Sequence, residues 1–63
     1  MIKITRANVR RRVVYTNLEG TKANGKIRGL VQMSHDEVPN AIVELDKFPG
    51  DLITINCHCL DFE

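Results

Sequence analysis

The stretch NAIVELDKFPGDLITINC, residues 40–57, decides the fold because it places two runs of alternating apolar residues around one turn. Side chains on a β-strand alternate between the two faces of the sheet, so a period of two predicts strands that share one apolar face. Pro49-Gly50 suits the central positions of a type II turn. The stretch therefore predicts a hairpin with strands near 40–46 and 52–57. Its inward row consists of Ala41, Val43, Leu45, Ile53 and Ile55.

Outward from this hairpin, the chain continues as short runs of β-branched residues bounded by Gly, Pro, Asn and Asp. No stretch longer than a turn has the spacing of an amphipathic helix, so an all-β chain is predicted. Further strands are expected near residues 2–5, 9–16 and 25–34, with a last short extended piece at 60–62. Between them, 17–25 is expected to be a polar loop that ends on the tight-turn dipeptide Asn-Gly.

Two of these strands have irregular patterns. Strand 9–16 mixes arginine and apolar residues on both faces, which predicts that it changes faces partway. In strand 25–34, Leu30 intrudes on the polar face, and Gly29 indicates a bend or a close backbone approach. The apolar row expected for that strand consists of Ile27, Gly29, Val31 and Met33.

Length and composition predict one domain, residues 1–63, with a thin core. At 43% hydrophobic and 27% charged residues the chain should fold, and oligomerisation would help so small a core. The sequence has no window as apolar as a membrane span and no signal peptide, so a cytoplasmic protein is expected. The spacing of Cys57 and Cys59 suits reduced thiols better than a disulfide, which agrees with that compartment.

The net charge of +1 hides a division along the chain. Residues 1–31 contain eight basic residues and one acidic residue, whereas residues 32–63 contain seven acidic residues and one basic residue. The two halves must interleave in a compact domain. This asymmetry therefore predicts either cross-strand ion pairs or a surface dipole.

The runs VRRRVVY, GKIRGLV, AIVELD and PGDLITI, spread over residues 8–62, resemble SH3-like small barrels in strand and turn rhythm. That class includes the KOW, Tudor and plasmid type II dihydrofolate reductase folds. The resemblance implies a five-stranded antiparallel SH3-like barrel. Chains this short and self-contained are also common among phage and plasmid accessory proteins.

The reductase family carries a Val-Gln-Ile-Tyr run after a Pro-Gly turn and builds its pore from four copies. Here the run is Leu-Ile-Thr-Ile at 52–55, so Ile53 replaces the glutamine that holds substrate, and Ile55 or Asn56 replaces the tyrosine. The resemblance therefore implies the fold and not the activity.

Basic residues of the N-terminal half are candidates for binding DNA or RNA, with Tyr15 and Phe48 as stacking groups. The chain has no Trp, 5% aromatic residues and a pI near 7.8, which is low for a dedicated nucleic-acid module. The alternative for these residues is a solvated face paired with Glu44, Asp46 and Asp61. The nucleic-acid candidates are Arg6, Arg10, Arg12, Lys26 and Arg28.

Other chemistry-bearing residues give weaker patterns. Cys57-His58-Cys59 with His35 could supply soft metal ligands, but the paired spacing of a structural zinc site is missing, so buried cysteines and no metal or cofactor are expected. No acid, base and nucleophile stand out as a set, so the chain is not expected to be an enzyme.

Two functional hypotheses follow. The first is a non-catalytic module that binds a protein partner or oligomerises with itself, using Phe48, Leu30 and Tyr15 as contacts. The second is a nucleic-acid-binding barrel that uses the basic half. Neither hypothesis involves a membrane.

Overall fold

The computed structural model describes residues 4–31 and 40–63, which form one antiparallel sheet and two short 3₁₀ helices. The prediction of an all-β chain with five antiparallel strands is confirmed. The 3₁₀ helices span Arg6–Asn8 and Cys57–Cys59. No helix in these ranges has the length and hydropathy of a membrane span. The strands are β1 (Arg12–Thr16), β2 (Lys22–Val31), β3 (Asn40–Leu45), β4 (Leu52–Asn56) and β5 (Leu60–Phe62).

Only three residues join the two edge strands of the sheet, and so short a connection requires a strongly curled sheet. The strand order is β4-β3-β2-β1-β5, so β4 and β5 lie at opposite edges. Four strand spacings in a flat sheet measure roughly 19 Å, whereas the four residue steps from Asn56 to Leu60 reach at most about 14 Å. Only a curled sheet lets Cys57–Cys59 make this crossing. Within the described ranges no pairing joins β4 to β5, so the sheet is not closed into a barrel.

The core lies on the concave face, where residues from all five strands meet Ile4. Val13 and Ile27 are fully buried at its centre, and Leu60 brings β5 onto it. The predicted inward row of the 40–57 hairpin is confirmed for four of its five members, whereas Ile53 keeps 38% exposure. The buried residues are Ile4, Val13, Ile27, Ala41, Val43, Leu45, Ile55, Cys57 and Leu60.

β2 departs from the predicted facing because the β2–β3 ladder skips one residue. Ile27 lies opposite Val43, but Gly29 lies opposite Ile42, so Arg28 is an extra residue in a β-bulge. A bulge exchanges the two faces of a strand beyond it. Leu30 therefore packs on the core, whereas Gly29 and Val31, predicted to point inward, lie on the outer face. Met33, the last member of that row, lies outside the described residues.

The loop predicted at 17–25 is shorter in the structure, because β2 already begins at Lys22. The chain reverses over Asn17–Thr21, where the Asn17 carboxamide oxygen accepts from the amides of Glu19 and Thr21, both at 2.9 Å. Gly20 supplies the left-handed conformation there, with φ 85°. The prediction that Asn24-Gly25 forms a turn is therefore wrong; both residues are inside β2.

The N-terminal segment also differs from the prediction. Ile4 and Thr5 are not in a strand, and the first 3₁₀ helix follows them directly. β1 begins at Arg12 because Arg10 adopts φ 79°, which breaks the regular strand expected from residue 9. The predicted change of faces is not observed, because Val9, Val13 and Tyr15 all pack against the core. Residues 1–3 and the loop containing His35 lie outside the described ranges.

Candidate binding surfaces

Arg12 is the centre of an ion-pair network on the outer face of the sheet. Its guanidinium donates to both carboxylate oxygens of Asp46, with Nη1 2.9 Å from Oδ1, and its Nε lies 3.3 Å from Oε2 of Glu63. Asn24 Nδ2 donates to the same Glu63 oxygen at 2.7 Å. The bond from Arg12 lowers the pKa of Asp46, and the bonds from Asn24 and Arg12 lower that of Glu63. The Arg12 guanidinium is thus ion-paired with two carboxylates of the same chain.

Arg28 takes part in a second pair on the same face. Its Nη1 lies 3.3 Å from Oε1 of Glu44, and the other oxygen of Glu44 accepts from the Gly50 amide at 2.7 Å. The expectation that Glu44 and Asp46 pair with the basic half is confirmed. Asp61, on β5, lies across from Val14 on β1, and it is Glu63 that supplies the second carboxylate to Arg12.

A basic cavity lies where the 9–11 segment approaches β2. It has a volume of about 460 Å³ and is lined by Val9, Arg10, Lys26 and Arg28. Three of these four residues are cationic, and none is acidic. Arg6, the remaining nucleic-acid candidate, is exposed in the first 3₁₀ helix. The structure therefore brings three of the five predicted basic residues together at this cavity, whereas Arg12, opposite Lys26, is ion-paired with Asp46 and Glu63.

An apolar surface lies at the β3–β4 hairpin. Phe48 is 57% exposed, and Leu52 and Ile53 are 58% and 38% exposed. Phe48 and Ile53, with Leu45 and Asp51, line an open cavity of about 190 Å³. We call Phe48 and Ile53 the hairpin patch; Leu52 lies opposite Glu44 on the other face of the sheet. The sequence placed Phe48 in a loop tip, whereas the exposure of Ile53 differs from the predicted inward row.

The patch continues into an uncharged sheet edge. Within residues 4–31 and 40–63 the outer edge of β4 pairs with no other strand, and its sequence Leu-Ile-Thr-Ile-Asn contains neither charge nor proline. The other edge, β5, has three residues, one of which is Asp61. Charge, proline and shortness are the usual protections of an edge strand. β5 is protected by its shortness and by a charge, whereas β4 has none of these three protections.

The other predicted contacts have less exposed positions. Leu30 and Tyr15 are half-buried and pack against the core, with Tyr15 opposite Leu60. Phe62 does the same and also carries the Arg11 guanidinium 3.9 Å above its ring centre. These side chains support the curled sheet, and Phe48 is the most exposed of the three predicted contacts.

The Cys57-His58-Cys59 segment is the second 3₁₀ helix. Asn56 caps it by accepting from the His58 amide at 2.8 Å. Cys57 is buried, which raises its thiol pKa, and Cys59 is half-buried. In the described ranges no three potential metal ligands lie together, and His35 lies outside those ranges.

Comparison with protein-family models, curated proteins and solved structures found no match to this chain.

Proposed function

We propose that this chain is a non-catalytic protein-binding module that pairs with a second copy of itself along β4. The observation that carries the proposal is the uncharged β4 edge beside the hairpin patch. An unpaired edge presents backbone N–H and C=O groups to any strand that can align with it. The patch adds apolar side chains that would leave water in the same contact.

A second copy suits this edge because antiparallel pairing of β4 with β4 is self-complementary. Each copy would give and receive the same contacts, and such an interface closes as a two-fold dimer. Pairing of β4 with β5 of another copy would instead extend into an open chain, and Asp61 on the short β5 disfavours it. The outer face supports this choice, because Arg12 and Arg28 are already paired within the protein.

The size of the domain also supports self-association. In the part of the chain that the structure describes, nine buried hydrophobic residues form the core, and a chain of 63 residues buries only about 60% of its unfolded surface. Dimerisation along β4 would cover Leu52 and Ile53, which the single sheet leaves exposed. The dimer would therefore add apolar burial at the place where the core is thinnest.

The proposal takes the fold to be an SH3-like barrel of the kind that the sequence resembles. In its support, β1 pairs with both β2 and β5, and a 3₁₀ helix carries the chain from one sheet edge to the other. The proposal also places the module in the cytoplasm, which agrees with two thiols, Cys57 and Cys59, that form no disulfide.

The test is the solution mass, measured by light scattering and sedimentation over a wide concentration range. We expect a monomer–dimer equilibrium. Thr54→Lys adds a charge to the exposed middle of β4, and we expect it to raise the dimer dissociation constant at least tenfold. Thr21→Lys adds the same charge in the β1–β2 turn and should leave the constant unchanged.

A second pair of variants tests the hairpin patch. Phe48→Ala should weaken association, whereas Arg10→Ala, on the far side of β2, should have little effect. A chain that stays monomeric at millimolar concentration would refute the proposal. So would equal effects of the two lysine variants, or an Arg10→Ala effect larger than that of Phe48→Ala.

A further inference from the structure

The pairing of β2 is interrupted once on its β1 side and once on its β3 side, and an arginine lies at each interruption. The Arg10 amide donates to the Ile27 carbonyl oxygen at 2.7 Å, and the Ile27 amide donates to the Arg11 carbonyl oxygen at 3.0 Å. Residues 10 and 11 thus lie together opposite Ile27. On the other side of the same residue, the β2–β3 ladder skips Arg28. Bulges redirect side chains, and here two bulges flank one residue.

The two redirected arginines line the same cavity. Arg10 and Arg28 enclose it together with Lys26 and Val9, in a volume of about 460 Å³. Strand alternation favours this convergence, because the register that sets Arg12 opposite Lys26 places Arg10 and Arg28 on the same face when it is continued. The two bulges interrupt the ladders at these same two arginines.

Arg10 is in a conformation that glycine would adopt more easily. Its φ of 79° lies in the left-handed region, and it is the one non-glycine residue in the described ranges with a positive φ. The bulge in which two residues oppose one, with the first left-handed, usually has glycine at that first position. A backbone strained in this way often marks a functional position. Arginine offers this backbone conformation no advantage over glycine, so its contribution at position 10 is its guanidinium group.

We propose that this cavity binds a phosphoryl group. Guanidinium groups present planar, forked donors that match phosphate oxygens, and the Lys26 ammonium adds a third cation. Arg28 is ion-paired with Glu44 at 3.3 Å, and Lys26 lies opposite Glu44 and lines a neighbouring cavity with Glu44 and Asp46, so these carboxylates offset part of the charge. No acidic side chain lines the basic cavity itself, and a phosphate monoester with nearly two negative charges supplies acceptors for its three cations. The volume also leaves room for the group to which the phosphate is attached.

The phosphoryl group could belong to a small phosphorylated molecule or to a nucleic-acid backbone, and two probes distinguish these sources. Inorganic pyrophosphate and a 12-residue single-stranded oligonucleotide are each titrated by calorimetry at low and high salt. A small-molecule site should bind pyrophosphate with a weak salt dependence. A backbone site should bind the oligonucleotide more tightly and lose affinity steeply with salt, because counterions are released.

Three variants test the residues. Arg10→Gly keeps the left-handed bulge and removes the guanidinium, and Arg28→Gln keeps most of the length of the side chain; each should weaken probe binding at least tenfold. Lys22→Gln removes one positive charge from β2 outside the cavity and should change binding less than twofold. Arg10→Gly should be at least as stable as Arg10→Ala, since glycine relieves the positive φ.

Absence of binding of both probes at millimolar concentration would overturn the proposal. An equal loss with Lys22→Gln would also overturn it, because that result means diffuse attraction to the basic half. The site does not rest on the proposed dimer. Thr54→Lys should therefore abolish dimerisation and leave probe binding intact, which separates the failure of one proposal from the failure of the other.

Discussion

Replacing Gly25 with alanine tests how closely β2 packs on β3. A Cβ atom at Gly25 would lie 2.7 Å from the Glu44 carbonyl oxygen and 3.1 Å from side-chain carbons of both Leu45 and Val43. The oxygen belongs to the backbone of β3, which is paired on both sides, so it cannot rotate away. The strands must separate locally, and overpacking of this kind typically costs about 1–3 kcal/mol.

Gly29 provides the matched control in the same strand. A Cβ atom there would lie 3.5 Å from Cδ1 and 3.8 Å from Cβ of Ile42, which are ordinary contacts. Gly29→Ala should be neutral or stabilising by up to about 1 kcal/mol, because alanine restricts the unfolded chain. The same entropy gain reduces the net cost at Gly25. The two variants should therefore differ by roughly 2 kcal/mol.

This difference is large for so small a domain. At roughly 0.05–0.15 kcal/mol per residue, a 63-residue chain has a free energy of unfolding of about 3–9 kcal/mol. Urea unfolding followed by circular dichroism measures both variants, with the slope checked for two-state behaviour. If the two alanine variants have equal stability, or Gly29→Ala is the less stable one, the close approach described at Gly25 is wrong.

Two further predictions concern titratable groups. The pKa values of Asp46 and Glu63 are lowered in the folded protein from ordinary values of 3.8 and 4.5, so their stabilising effect is present above those values and is lost as the pH falls through the lowered ones. The melting temperature of the wild type should exceed that of Arg12→Gln at pH 7 and converge with it as the pH falls through the lowered pKa values, as a calorimetric pH series would show; a constant difference would contradict the network. Burial raises the thiol pKa of Cys57, so iodoacetamide should alkylate Cys59 first in the folded protein and both residues equally in urea; peptide mass mapping checks the order, and faster labelling of Cys57 would contradict its burial.

The β3–β4 hairpin could be predicted closely from the sequence. Strands expected at 40–46 and 52–57 are observed at Asn40–Leu45 and Leu52–Asn56. Ala41, Val43, Leu45 and Ile55 keep a period of two, and one Pro-Gly turn separates the strands, so local pattern and tertiary structure agree at these positions. The last extended piece was also found where expected, at Leu60–Phe62.

β2 shows why the rest could not be predicted. A single extra residue, Arg28, exchanges the faces of every residue beyond it, so a period of two counted across it assigns Leu30 and Gly29 to the wrong sides. The bulge depends on backbone pairing with β3 and leaves no mark on the composition. Similarly, Asn24-Gly25 has the composition of a turn, but pairing with β1 on one side and packing on β3 on the other override that preference.

The candidate sites likewise include some features that the sequence predicted and others that it did not. The opposite charges of the two halves correctly indicated cross-strand pairing, because strands close in space must neutralise one another. The choice of Glu63 as a partner of Arg12 depends on β5 lying beside β1, which no local pattern reveals. Arg10, Lys26 and Arg28 were predicted as members of one basic set, whereas the left-handed backbone of Arg10 had no signal in the sequence.

The pairing of β5 with β1 also has a consequence for biosynthesis. The basic half of this chain emerges from the ribosome first. β1 cannot pair with β5 until the residues around Leu60 have also emerged. Leu60 is fully buried in the finished core, so the nascent chain cannot complete its packing before that moment. Until then its arginines are exposed to solvent and to the ribosome's own RNA, and folding pairs Arg12 with Asp46 and Glu63.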